Sequence, residues 1–302
     1  MRERPFVVIG LGEVLWDLLP DGKQLGGAPA NFAYHAHALG ADAWPITRVG
    51  ADALGDEILE RLQSLGLPTS FVHIDPLAAT GTVSVELLTG GEHRFVIHEN
   101  VAWDRIEVTE AILTAAAGAD AICFGTLGQR CEVSRAAIRT IATAVPLTGL
   151  RIFDINLRQQ FYSREAIEHS LRIANVLKIN GEELSVVADM LALHGSVPGR
   201  VTDLAKRYNL KLVALTLGGD GSLLLADGRI SVTAGNPVTV VDTIGAGDAF
   251  TAAMALGWLA CWDLDKINRT ANAVAAFVCT RAGATPVLPT DLTAPFLNAD
   301  SR

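Results

Sequence analysis

Near the end of the chain, VDTIGAGDAF (241–250) places a carboxylate, Asp248, directly after three small residues, Gly245, Ala246 and Gly247. An apolar run, AFTAAMALGWLA (249–260), follows at once. The run reads as a buried helix and the small residues as the turn that opens it. The first N–H groups of a helix have no internal partner, and the helix dipole makes that end positive. Small residues let those groups point outward and let a ligand come close. Together these make an anion hole. A phosphoryl group in a loose transition state fits it, because its charge is spread over three equatorial oxygens that backbone donors can meet. Asp248, at the positive end, is expected to stay ionised and to take the proton of an attacking hydroxyl late in the transfer. The same stretch also allows a reading without chemistry, an acid-capped start to a buried helix.

Other chemistries fit less well. GAGDAF lacks the third glycine of the dinucleotide fingerprint, and so does GLGEVL (10–15), which weakens a nicotinamide dehydrogenase reading. Neither a P-loop nor the protein-kinase signatures occur. His35 and His37 are two apart on a helix and point in different directions, which disfavours a metal pair. No C-x-x-C pair occurs; Cys123, Cys131, Cys261 and Cys279 have apolar neighbours and read as small core residues. The net charge of −9 argues against nucleic acid or an anionic membrane as the main partner. The N-terminal MRERPFVVIGLGEVLWDLLP is interrupted by Glu13 and Asp17, so it reads as a first strand rather than a signal peptide. The longest apolar run, 249–261, is too short to span a bilayer. A cytoplasmic location is the expectation.

The elements that must position Asp248 follow from the hydrophobic pattern. Half the residues are hydrophobic and 19% are charged, enough for a sizeable core in a chain of 302 residues. FVVIGL (6–11), AICF (121–124), RIFDI (151–155), VLKI (176–179) and LVALTL (212–217) are short apolar runs separated by helical stretches. This predicts an α/β fold, a doubly wound and mostly parallel sheet with helices on both faces. PANFAYHAHALG (29–40) has proline at a helix start and glycine at its end. TVSVELL and HRFVIH flank TGGE (89–92) and predict an antiparallel hairpin. The expected organisation is one domain over 1–302 with a small β-sheet lid from about 12–26 and 71–100. In such sheets ligands sit beyond the carboxyl ends of the strands, under a lid of this kind.

A second glycine-rich motif, GGAPANFA (26–33), precedes DTIGAGD (242–248) in an order and separation that resemble both signatures of the ribokinase-like, or PfkB, carbohydrate kinases. The likeness covers nearly the whole chain. NGEE (180–183) fits the family's N-x-x-E, TLGGDG (216–221) its nucleotide loop, and NAVAAFVCTRAGATP (272–286) its C-terminal nucleotide-side segment. DINLR (154–158), GEVLWDLLPDG (12–22) and FGTL (124–127) are similar to the fructokinase-type branch.

The resemblance implies an enzyme that moves the γ-phosphoryl of ATP to a sugar hydroxyl with Mg²⁺, fructose being the first candidate. Another sugar, 2-keto-3-deoxygluconate or ribose, and a sugar- or nucleotide-sensing protein on the same fold are the alternatives. It implies Asp248 as base and Gly245, Ala246 and Gly247 as anion hole. Asp17, Gly27 and Asn31 match sugar-binding positions. Arg158, Asn180, Thr216, Gly218, Gly221 and Asn272 match the nucleotide side. Glu183 matches the Mg²⁺ shell, through water, and Asp242 falls in the loop where many members bind K⁺. Pairing of lids into a homodimer is a further expectation. One departure concerns the lid. Many fructokinases carry an aromatic-Arg pair near its second strand, whereas this chain reads FVIHENVAWD (95–104), leaving His98, Asn100 or Trp103 to face the sugar.

Overall fold

The structure, a computed structural model, describes residues 4–20, 22–87 and 93–297. The TGGE turn expected at 89–92 lies outside the described residues. In chain order the first half contains β1 (Val7–Leu11), β2 (Leu15–Leu19), β3 (Gly22–Gly26), α1 (Ala28–Ala38), β4 (Asp42–Gly50), α2 (Ala53–Ser64), β5 (Val72–Asp75), β6 (Thr82–Leu87), β7 (His93–Ile97), α3 (Glu110–Ala117), β8 (Ala121–Phe124) and α4 (Glu132–Ala144). The second half contains β9 (Leu150–Asp154), α5 (Arg164–Ile173), β10 (Val176–Asn180), α6 (Gly181–Leu191), α7 (Val197–Tyr208), β11 (Leu212–Thr216), β12 (Ser222–Ala226), β13 (Arg229–Thr233), α8 (Ala246–Leu259), α9 (Leu264–Cys279) and α10 (Thr290–Leu297).

Nine strands form one sheet in the order β13-β12-β11-β10-β9-β8-β1-β4-β5. Neighbours from β11 to β5 pair in parallel, and only β12 is reversed, pairing antiparallel with β11 on one side and β13 on the other. The apolar strand runs are continuous because both faces are covered. On one face Phe32 and Ala36 of α1, Ile58 of α2, Ala253 of α8 and Ala271 of α9 pack on Val8, Ile152 and Val176. On the other, Ile112 of α3, Ile138 of α4, Ile167 of α5 and Leu184 of α6 pack on Ile9, Phe153 and Leu177. The chain leaves β1 in one direction toward β4 and returns on the other side at β8. That reversal opens a crevice at the carboxyl end of β1.

A separate four-stranded sheet has the order β3-β2-β6-β7. The hairpin of β6 and β7 is antiparallel, as its alternation predicts. The 71–100 segment divides: Val72–Asp75 pairs with β4 at the edge of the large sheet, and the small sheet takes up the chain only at Thr82. Leu15, Val83 and Ile97 of the small sheet pack on Trp103, Leu127 and Phe161 of the body. Arg130 fastens this junction. It lies 3.8 Å from the Trp103 ring and 4.9 Å from the Phe161 ring. It donates to both oxygens of Asp104 at 2.8 Å and to the His98 carbonyl at 2.6 Å.

Two expectations change here. Cys123 alone is a buried core cysteine; Cys131 and Cys279 are half-buried, and Cys261 is exposed on the turn after α8. Trp103 is fully buried beneath Arg130, and His98 is hydrogen-bonded to Ser84 at 2.9 Å. Asp17, Val83 and Ile97 form one cross-strand row, so Ser84, the next residue, points to the opposite face. That pairing holds His98 away from the Asp17 side.

Candidate active site

Asp248 stands in the first turn of α8, above the crevice. The turn before it needs glycine at 245 for two reasons. Gly245 has φ 78°, and a side-chain carbon there would come within 2.5 Å of the Ala284 carbonyl. The same carbonyl accepts a 2.9 Å hydrogen bond from Nε2 of buried His35 in α1. Burial lowers the His35 pKa to about 4, so the ring is neutral and braces the turn without charge.

α1 supplies the other wall. Its cap, Gly27, has φ 114° and lies so close to Glu13 and Val14 that a side chain would strike the Glu13 carbonyl. This close approach carries Asn31 into place, where its Nδ2 donates to Asp248 Oδ2 at 2.9 Å. Asp17 enters from β2, against Gly26. Arg158, in the segment after β9, is exposed, and its positive charge reaches Glu13, Asp17 and Asp248.

These carboxyls are not the undisturbed acids that position alone suggests. Desolvation and the nearby negative charge of Asp154 raise Asp248 to about 6, against the pull of Asn31, Lys178 and Arg158. The expectation of a simply dipole-stabilised carboxylate is corrected: burial outweighs the helix end. At neutral pH the group is still mostly ionised. Desolvation likewise raises Asp17 to about 6 and Glu13 to about 7.

Asn180 and Glu183 form a capping box at the start of α6. Asn180 Oδ1 accepts from the Glu183 N–H at 2.8 Å, and Glu183 Oε2 accepts from the Asn180 N–H at 2.8 Å. Glu183 Oε1 also accepts from the Leu157 N–H at 3.1 Å. With both oxygens so engaged, Glu183 suits a role behind metal-bound water better than direct ligation. Among the described residues, no group of three or more His, Cys, Asp or Glu side chains could hold a metal ion. Asp242 is similarly engaged: its carboxylate accepts from the Ile244 and Gly283 N–H groups, each at 3.0 Å. It ties the loop before α8 to the segment after α9.

Thr216 ends β11, and Gly218 and Gly221 shape the turn into β12 with φ of 58° and 102°. Asn272 is not at that turn's surface. It is buried in α9, and its amide donates to Ser222 at 2.5 Å and to the Asn268 carbonyl at 2.8 Å.

Four buried residues escaped the sequence reading of the site: Glu13, Asp154, Lys178 and Thr251. Lys178 Nζ contacts Asp154 Oδ1 at 3.0 Å, and Thr251 Oγ1 donates to Asp154 Oδ2 at 3.0 Å. The signal was there in VLKI and RIFDI, where a charge interrupts a strand buried on both faces.

The comparisons agree with this architecture. Residues 21–291 match the family described as pfkB family carbohydrate kinase. A fructokinase of Salmonella typhimurium is 30% identical over 297 residues, covering 92% of this chain and 95% of that protein. An uncharacterised sugar kinase of Pyrococcus horikoshii is 27% identical with a TM-score of 0.80, covering 97% of this chain and 98% of its own. A Vibrio cholerae O395 fructokinase in a fructose-, ADP- and calcium-bound form is 25% identical with a TM-score of 0.78, over 97% and 99% of the two chains. The chain belongs to the pfkB family of carbohydrate kinases, and its fold is ribokinase-like.

Proposed function

We propose that this chain transfers the γ-phosphoryl group of ATP to a hydroxyl of an uncharged sugar, fructose before others. The observation that carries the reading is Asp248, paired with Asn31 at the head of α8 directly after the Gly245-Ala246-Gly247 turn. In this reading the acceptor hydroxyl gives its proton to Asp248. Its oxygen forms the new bond to the γ-phosphorus as the bond from that phosphorus to the bridging oxygen of ADP breaks, the electron pair leaving with ADP. The backbone N–H groups of the turn meet the charge on the phosphoryl oxygens. Asp17, Asn31 and the Gly27 backbone hold the sugar in one orientation. Arg158 bridges the sugar side and the phosphates.

Asn180, Thr216, Gly218 and Gly221 line the nucleotide, with Asn272 supporting their loop from behind. Mg²⁺, when bound with the phosphates, would neutralise their charge, with Glu183 ordering its water shell. Asp242 shapes the loop whose carbonyls would take K⁺. One domain with the small sheet as lid closes over the sugar and keeps water out. Two such lids pairing by their outer faces would make a dimer.

Fructose is favoured by the fructokinase of Salmonella typhimurium at 30% identity. An uncharged acceptor is favoured by the site itself: Glu13, Asp17 and Asp248 crowd it with Arg158 against them. A sugar acid such as 2-keto-3-deoxygluconate would add a further negative charge there. The test is a coupled ADP-release assay with Mg-ATP. The panel holds fructose, ribose, 2-keto-3-deoxygluconate, tagatose, glucose and adenosine, with and without K⁺, and Asp248→Ala is the blank. Turnover of fructose above the rest, absent in the blank, is expected. Turnover of the sugar acid first would overturn the uncharged-acceptor reading. Silence across the panel with ATP still bound would replace the kinase reading by a sensing one.

A further inference from the structure

Lys178 lies near the end of β10, on the sheet face that α8 covers. Alternation puts Val176 and Lys178 on that face and Leu177 on the other. The same alternation turns Asp154 of β9 toward α8, and register sets it directly beside Lys178. Both side chains are under a tenth exposed, and their 3.0 Å contact is a buried ion pair. Thr251, wholly buried, bonds Asp154 Oδ2 at 3.0 Å and the Gly247 carbonyl at 2.9 Å. A side-chain carbon on Gly247 would stand 3.0 Å from Lys178 Nζ. The ammonium therefore fills the space immediately behind the small-residue turn.

This is an expensive place for a lysine. A buried charge loses its hydration, and the positive end of a helix repels a cation. Burial does work against the charge, yet Asp154, Glu183 and Asp248 hold the Lys178 pKa above the usual lysine value. A hydrophobic strand residue would pack here without that loss, as Val176 does one turn of the pleat earlier.

We propose that Lys178 is a positioning residue for phosphoryl transfer: clamped by Asp154, it supplies a fixed positive charge between the Gly247 turn and Asp248. The inference rests on the reading of Asp248 as base. The ammonium adds to the potential that the turn's N–H groups present to the phosphoryl oxygens. It also offsets the carboxylate of Asp154, which would otherwise favour a protonated, inactive Asp248. The charged and titratable groups around Asp248 are Asp154 from β9, Lys178 from β10, Arg158 after β9, Glu13 after β1 and Cys123 from β8, with the Asn31 amide from α1.

The experiment compares wild type, Lys178→Met, the double variant Lys178→Met/Asp154→Asn and Asp248→Ala. Each is assayed with Mg-ATP and fructose, or whichever sugar of the panel the wild type turns over, from about pH 5 to 9. Lys178→Met is expected to lower kcat roughly 10- to 100-fold with the sugar KM within about threefold. The acid limb of its kcat/KM profile should move to higher pH, since Asp154 is left uncompensated. In the double variant the limb should return to the wild-type position or below, while kcat stays low. Wild-type kcat and an unmoved limb in Lys178→Met would overturn the proposal. So would a loss of kcat with an unmoved limb, which marks packing alone. If Lys178→Met does not fold, the double variant decides: low kcat at wild-type Tm supports the proposal and wild-type kcat overturns it. Turnover surviving in Asp248→Ala would remove the base reading itself, whereas a dead Asp248→Ala beside a normal Lys178→Met removes only the role of Lys178.

Discussion

Asp248 and Glu13 show opposite uses of a carboxyl raised by desolvation. Asp248, raised to about 6, is poised close to neutrality, where a base can be both ionised and effective. Its kcat/KM is expected to fall as pH drops through about 6, because protonation removes the base. Asp248→Ala should cost on the order of 10²- to 10⁴-fold in kcat while ATP remains bound, measurable by single-turnover assay and calorimetry. Glu13 is buried with no partner for Oε2 among the described residues, and desolvation raises it to about 7 from 4.5. A carboxyl raised in the fold binds its proton more tightly there than in the unfolded chain. Its contribution to stability is therefore full below about 4.5 and is lost as pH rises through about 7. Glu13→Gln should raise Tm at pH 8, by roughly 1–3 kcal/mol of stability, and the gain should shrink toward pH 5. Equal gains at both values would refute the burial account.

At the scale of elements, the α8 turn and the α6 start do different work. The α6 start is capped from within: the reciprocal Asn180–Glu183 box engages the N–H groups of both residues, so the N-x-x-E spacing also serves helix chemistry. The α8 turn has no side-chain cap; its Ala246 N–H reaches back to the Thr243 carbonyl at 3.3 Å, and in the proposed reading the remaining donors meet the phosphoryl oxygens. The small sheet joins the body through Arg130, whose bidentate pair with Asp104 is about 5% exposed on each side. Arg130→Ala should destabilise the protein by about 3–5 kcal/mol, because Asp104 would be left buried and unpaired. Denaturant titration measures this, and Arg130→Ala/Asp104→Ala should recover part of the loss. A loss below about 1 kcal/mol would mean that Asp104 finds water and the junction is not held this way.

For the whole molecule, the proposed reading has the small sheet cover the crevice at the carboxyl end of β1 and keep water from it. Replacing 82–97 by a short flexible linker should raise ATP hydrolysis in the absence of sugar, read by ADP release. No rise would count against a water-excluding role for that sheet. The charge of −9 predicts no help from nucleic acid or membrane for this activity. Among the described residues no helix is long and apolar enough to cross a membrane.

Strands such as AICF at 121–124 were legible from residues alone, because a parallel strand covered on both faces must be short, apolar and bounded by helices. The small-residue turn before Asp248 was legible for a similar local reason: a close backbone approach excludes side chains. What the linear pattern could not carry was the surroundings. Asn31 meets Asp248 across 217 residues, and Lys178 meets Asp154 through strand register. The proton affinity of Asp248 depends on what that folding buries beside it. Propensity and periodicity are local properties that a sequence displays directly. Desolvation and charge pairing belong to neighbours that only the tertiary structure brings together.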